Sequence, residues 1–120
     1  MDHSTITSIM QDRKLASLGD AYVNLVYSMA LTQISGEPRG VKVSDRILSR
    51  AFKAAGLRSY LGVRQTRKDF ANASEALLIE SFRKGVLTIS ESVKIITQQD
   101  DLADGVRDLL KIAIERMIAS

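Results

Sequence analysis

The stretch Lys14–Ser35, KLASLGDAYVNLVYSMALTQIS, constrains this chain more than any other. Leu15, Leu18, Tyr22, Leu25, Val26, Met29 and Ile34 recur at the three- and four-residue spacings of a helix rather than the alternation of a strand. A helix that is apolar on nearly every side belongs in the middle of a bundle. It carries one carboxylate, Asp20, beside Gly19. Burying that charge is costly unless it meets a metal, a partner or solvent at a cleft. The place for a second acid is Asp69–Phe82, DFANASEALLIESF, an Ala-rich helical run that holds Glu75.

The rest of the chain punctuates cleanly into further helices. Ser4 is placed to cap a helix over Thr5–Asp12 with Ile6, Ile9 and Met10 on its inner face. Gly36 and the sole proline, Pro38, end the long helix. Ser44 caps Asp45–Ala55, which turns Ile47, Leu48, Ala51 and Phe52 inward and Arg46, Arg50 and Lys53 outward, and Gly56 stops it. Leu57–Arg67 reads as a short helix or turn leading into a basic loop around Gly62. Asp69 caps a helix to Lys84, closed by Gly85. Thr88 and Glu91 form a capping box for a helix through about Thr97. After a polar break at Gln98–Asp101, the last helix carries Leu102, Val106, Leu109, Leu110, Ala113, Met117 and Ile118 in register. With no strand pattern, repeat or low-complexity tract, the expected fold is all-α, six to seven helices in a single domain over residues 1–120.

Composition removes whole classes of chemistry. There is no cysteine, so no disulfide framework, thiol nucleophile or Cys-ligated zinc is available. His3 is the only histidine, at a terminus expected to fray, which removes Ser-His catalysis and His-metal sites. No leader or membrane-spanning run is apparent, so a cytoplasmic location without membrane contact is expected. Gly36–Gly40 has no following Gly-Lys-Ser/Thr, so no nucleotide loop and no small-molecule cofactor are expected. Tyr22, Tyr27, Phe52, Tyr60, Phe70 and Phe82 do not alternate with basic residues and read mostly as core, which disfavours stacking on single-stranded bases.

The net charge of +3 conceals a concentrated block. Residues 39–68 hold nine basic groups against Asp45 alone, while the segments on either side are net acidic. Such a block is a candidate phosphate-binding surface, and Arg39, Lys42, Arg46, Arg50, Arg64, Arg67 and Lys68 are its candidate contacts. A solvated face that serves solubility is the alternative.

Asp20 and Glu75 are the candidate catalytic pair. Ala16, Gly19, Ala21 and Ala71, Ala73, Ala76 are small enough to let their two helices approach closely. If the faces oppose, Asp20, Asn72 and Glu75 converge, and two carboxylates with an amide oxygen are hard ligands of the kind that Mg²⁺ or Mn²⁺ accepts. Such an ion could activate water at a phosphodiester. Alternatively, both acids are ordinary surface carboxylates paired with Arg or Lys.

Three segments resemble the ribonuclease III family. Arg13-Lys-Leu-Ala-Ser-Leu-Gly-Asp-Ala21 is similar to its first signature, E-R-L-E-F-L-G-D-[SA]. Ala71-Asn-Ala-Ser-Glu-Ala-Leu-Leu78 is similar to the second, A-D-x-x-E-A-L-[IL], and Val43–Arg50 to the intervening L-[ST]-x-x-R segment. The resemblance covers about residues 12–97 and implies the all-helical endonuclease domain of a Mg²⁺-dependent homodimer specific for double-stranded RNA. It places Asp20 and Glu75 at two positions of the acidic cluster. The chain departs from the pattern at Arg13 and Ala16, where the first signature has glutamates, and at Asn72, where the second has aspartate. Ser17 stands at the aromatic position that helps the family dimerise. No double-stranded-RNA-binding domain is expected to follow, so the basic block would hold the duplex by phosphate and 2′-hydroxyl contacts.

Two functions are therefore expected of such a chain. One is a small, divergent endoribonuclease that hydrolyses double-stranded or structured RNA, with Asp20 and Glu75 catalytic and Asp20, Asn72 and Glu75 as metal ligands. The other is an RNA-binding protein of a ribonucleoprotein that kept the fold and lost the site. A helical protein–protein adaptor is the third class, and it leaves the charge block without a purpose.

Overall fold

Six α-helices and one 3-10 turn form the computed structural model, which describes all 120 residues. They are α1 (His3–Met10), α2 (Arg13–Ser35), α3 (Asp45–Ala54), the turn Arg58–Tyr60, α4 (Arg67–Arg83), α5 (Ile89–Thr97) and α6 (Leu102–Ala119). The all-α expectation holds, and no strand forms. One contiguous core of 32 buried residues draws on every helix.

Two helix starts differ from the sequence reading, because better caps lie two and three residues upstream. Asp2 rather than Ser4 caps α1, its carboxylate accepting from the Thr5 amide at 2.8 Å. Thr66 rather than Asp69 caps α4. The Thr66 hydroxyl accepts from the Asp69 amide at 3.2 Å and the Asp69 carboxylate accepts from the Thr66 amide at 2.9 Å. That reciprocal pair satisfies two amides that the helix cannot satisfy itself. Nor is the start of the chain frayed: His3 lies in α1 and stacks on Tyr60, ring centroids 4.4 Å apart.

The central helix is α4, not α2. It packs against α1, α2, α3 and α6, and every residue from Phe70 to Ser81 is buried except Asn72 and Glu80. Alanines and serines along α4 make this crowding possible, since each neighbour can come close without a large side chain between. The expectation that α2 is enclosed fails along one flank. Leu18, Leu25 and Met29, at i, i+7 and i+11, remain 51%, 46% and 44% exposed. Ile34 and Ile118, read as core, are also exposed, as is part of Phe82. Six helices in a chain of this length cannot wrap a 23-residue helix once α4 takes the middle.

Two glycines fix the closest helix contacts. A Cβ at Gly19 would collide with the backbone carbonyl of Glu75, and one at Gly105 with that of Ile96. The α2–α4 and α5–α6 crossings are therefore backbone-to-backbone.

The connection from α2 to α3 is stitched to the side of α2. Thr32 Oγ1 accepts from the Arg39 amide at 2.9 Å, Ser28 Oγ from the Val41 amide at 2.9 Å, and Asn24 Oδ1 from the Val43 amide at 2.7 Å. Residues 24, 28 and 32 are successive turns of one helix face. The segment thus runs back along α2, and Val43 is buried at its end. The next turn down that face is Asp20.

Candidate functional site

Asp20 and Glu75 do come together. With Gly19 seated on the Glu75 carbonyl, the next residue of α2 is carried to the mouth of a cleft between α2 and α4. The cleft has a volume of about 320 Å³ and is lined by Arg13, Ala16, Ser17, Asp20, Lys42, Lys68, Asn72 and Glu75. Glu75 lies at its floor and is only 5% exposed, whereas the Asp20 side chain is 42% exposed.

The two carboxyl groups divide a proton unequally. Burial pushes Glu75 up to about 8, and the adjacent Asp20 carboxylate, which accepts its O–H, pushes in the same direction. Asp20 is held below the ordinary aspartate value, first by that hydrogen bond from Glu75 and also by Lys42. At neutral pH Asp20 is therefore the charged member and Glu75 the protonated one. This separation of two neighbouring acids is the arrangement that acid–base sites use.

Lys42 completes the pair. Its Nζ lies 3.1 Å from Asp20 Oδ1 and 3.3 Å from Oδ2. Its ammonium is held above the usual lysine value by the Asp20 hydrogen bond and charge. Lys68, the other ammonium of the cleft, reaches Asp45 at 3.4 Å. Arg13 has no ion-pair partner. It lies on the Asp20 face of α2, at i, i+3 and i+7 with Ala16 and Asp20, and that spacing is the sequence signal that would have marked it.

The cleft continues into its neighbours through shared rim residues. Arg13 and Asn72 also line a depression with Gln11, Asp12, Gln65 and Asp69. Asp20, Lys42 and Lys68 line another with Asp45, Arg46 and Arg67. Ser44 and Arg46 then border a third between α3 and α6, with Arg50 and Arg107. Five of the seven expected basic contacts thus lie along one track. Arg39 and Arg64 lie outside it, Arg64 in a left-handed turn at φ 64°. Lys53 and Arg58 instead cover the Phe70 ring, each 5.7 Å from its centroid.

A family model described as Ribonuclease III matches residues 13–119. The chain belongs to the ribonuclease III family. None of the curated proteins matches it significantly. The two segments that resemble the ribonuclease III signatures are the ones that α2 and α4 press together at the cleft.

The donor set at that cleft does not fit the Mg²⁺ or Mn²⁺ ion that the ribonuclease III resemblance implies. Such ions bind through one or two carboxylates, with water and substrate phosphate completing the shell, so each carboxylate oxygen counts. Here Lys42 already bonds both oxygens of Asp20. Glu75 is buried at 5% exposure, and Asn72 brings no charge. Ala16 leaves its position without a ligand. Neither nearby acid compensates: Asp12 accepts from the amides of Lys14 and Leu15, and Asp69 is committed to the Thr66 box. No group of three or more acids or histidines suited to a metal forms anywhere in the chain.

Proposed function

We propose that this ribonuclease III-family domain acts on double-stranded or structured RNA as an endoribonuclease-like RNA-processing protein. Its reacting groups are Asp20 and Glu75, and its RNA contacts are the basic residues of the track. The observation that carries this reading is the meeting of the two acids, Asp20 at the mouth and Glu75 at the floor of a cleft rimmed by Arg13, Lys42 and Lys68.

The chemistry follows from those groups. Hydrolysis adds water to phosphorus, breaks one P–O ester bond and moves the water's proton to the leaving oxygen. Asp20 opens to the cleft as a carboxylate able to accept a proton from the attacking water. Glu75 holds a proton that can pass toward the leaving oxygen through Asp20. The cations offset the charge that develops on the phosphoryl oxygens, and such offset supplies much of the rate in phosphoryl transfer. Recognition is by shape: Lys and Arg along a groove read the A-form backbone and its 2′-hydroxyls rather than base edges.

A second reading, RNA binding without cleavage, is favoured by Ala16, Asn72 and the two hydrogen bonds that Lys42 donates to Asp20. A homodimer, if formed, would cover the apolar flank of Leu18, Leu25 and Met29, since Ser17 offers no aromatic side chain to insert. A cytoplasmic site of action is consistent with the absence of any helix long and apolar enough to cross a membrane.

The test is cleavage of a long end-labelled RNA duplex with EDTA, Mg²⁺ or Mn²⁺, beside Asp20→Asn and Glu75→Gln. Cutting that both substitutions reduce by about 100-fold or more supports the endoribonuclease. Duplex binding with no cutting in any condition leaves the second reading.

A further inference from the structure

We infer that Lys42, with Lys68 and Arg13, makes the α2–α4 cleft a seat for a single RNA backbone phosphate that needs no divalent ion. The ammonium of Lys42 stands where the family resemblance implies positive charge from a metal. The inference rests on the RNA reading only for the identity of the phosphate's bearer.

Placement of Lys42 is the first support. An exposed lysine usually wanders, and its ion pairs are weak. This one is anchored on both sides, by Ser28 on the Val41 amide at 2.9 Å and by Asn24 on the Val43 amide at 2.7 Å. The anchors and Asp20 occupy consecutive turns of α2, so the register that holds the segment also sets Nζ over the carboxylate. Lys42 is the terminal rung of a ladder rather than a chance neighbour.

Charge balance is the second. The cleft is lined by three cations and two acids; Glu75 at its floor is only 5% exposed, and Lys68 reaches out to Asp45. Arg13 makes no ion pair, and the Lys42 side chain is 74% exposed, so both can turn donors outward. A cleft with surplus positive charge and free N–H groups attracts a phosphate and repels a free divalent cation. The substitutions away from the family pattern act in concert. Ala16, Asn72 and Arg13 remove acids or add a cation, and Lys42 and Lys68 supply ammonium groups at the same spot.

The experiment uses the intact protein in EDTA, with two probes. Inorganic phosphate is titrated while backbone amide NMR shifts are followed. A short labelled RNA duplex is titrated by fluorescence anisotropy at several salt concentrations. Phosphate should shift the amides of Asp20, Lys42, Val43 and Asn72. Lys42→Met should abolish those shifts, weaken duplex binding on the order of tenfold and reduce the salt slope by about one. Lys42→Arg should retain both, and Lys94→Met on the far helix α5 should change neither. Phosphate shifts without duplex binding would keep the phosphate seat and reject RNA as its bearer. The inference is overturned by an absence of phosphate shifts in EDTA, by shifts that Lys42→Met leaves intact, or by a Lys42→Met variant that binds duplex more tightly once Mg²⁺ is added.

Discussion

Gly19 lies directly against the backbone carbonyl of Glu75, with no space for a Cβ between them. This contact sets the distance between α2 and α4, and so brings Asp20, the next residue, to the cleft that Glu75 floors. One missing side chain thus couples packing to the site.

Gly19→Ala should therefore destabilise the fold by about 2 kcal/mol or more, since the methyl must push one backbone from another. Thermal unfolding should report a Tm drop of about 8 °C or more. Gly40→Ala is the comparison: nothing lies within 4 Å of its Cβ position, so its Tm should hardly move. Equal effects from the two would refute the close crossing.

Stability should fall as pH rises between about 4.5 and 8. Glu75 loses its proton near 4.5 in the unfolded chain but holds it to about 8 when folded. Between those values the folded state binds more protons, so raising the pH favours unfolding. The other shifted carboxylates, at Asp2, Asp20, Asp69, Glu91 and Asp108, are lowered and act below that window. Glu75→Gln should flatten the profile of Tm against pH. A profile that keeps its slope in the variant would locate the titration elsewhere.

The ladder along α2 makes a separate prediction. Asn24→Ala leaves the Val43 amide without its acceptor, at a cost of about 1–2 kcal/mol. It should also loosen Lys42 and weaken duplex binding, although residue 24 itself need not touch RNA. Asn24→Asp, which keeps the acceptor oxygen, should recover most of the stability. Chemical denaturation and anisotropy on the same preparations check both effects.

If a second copy covers the open flank of α2, Leu25→Glu should produce a monomer without unfolding the chain. Light scattering after size exclusion reads the mass, and far-UV circular dichroism reads the fold. A wild-type protein already monomeric at high concentration would exclude the dimer.

Much of this fold is legible in the residues alone. Helix spacings and stop signals locate every helix, because Gly36, Gly56 and Gly85 take left-handed φ values that glycine adopts without strain. Small residues around Asp20 and Glu75 announce a close crossing. The exposed flank of α2 is not legible, because apolar periodicity counts how much surface a helix offers and not how many neighbours exist to cover it. Its rival, α4, hides its centrality in alanines and serines, which carry little hydropathy yet permit the tightest packing. The ladder from Asn24 to Thr32 is equally invisible. Its partners are backbone amides of Arg39, Val41 and Val43, and these come into reach only once the connection doubles back. Lys42 therefore reads as one basic residue among nine rather than as the cation on Asp20.

A backbone amide NMR titration with a short RNA duplex locates the surface that meets RNA. The largest shifts should cluster on Ser17, Asp20, Lys42, Lys68 and Asn72, with weaker ones continuing toward Arg46 and Arg67. Shifts confined to α5 and the C-terminal half of α6, with the α2–α4 cleft silent, would contradict RNA binding at the cleft.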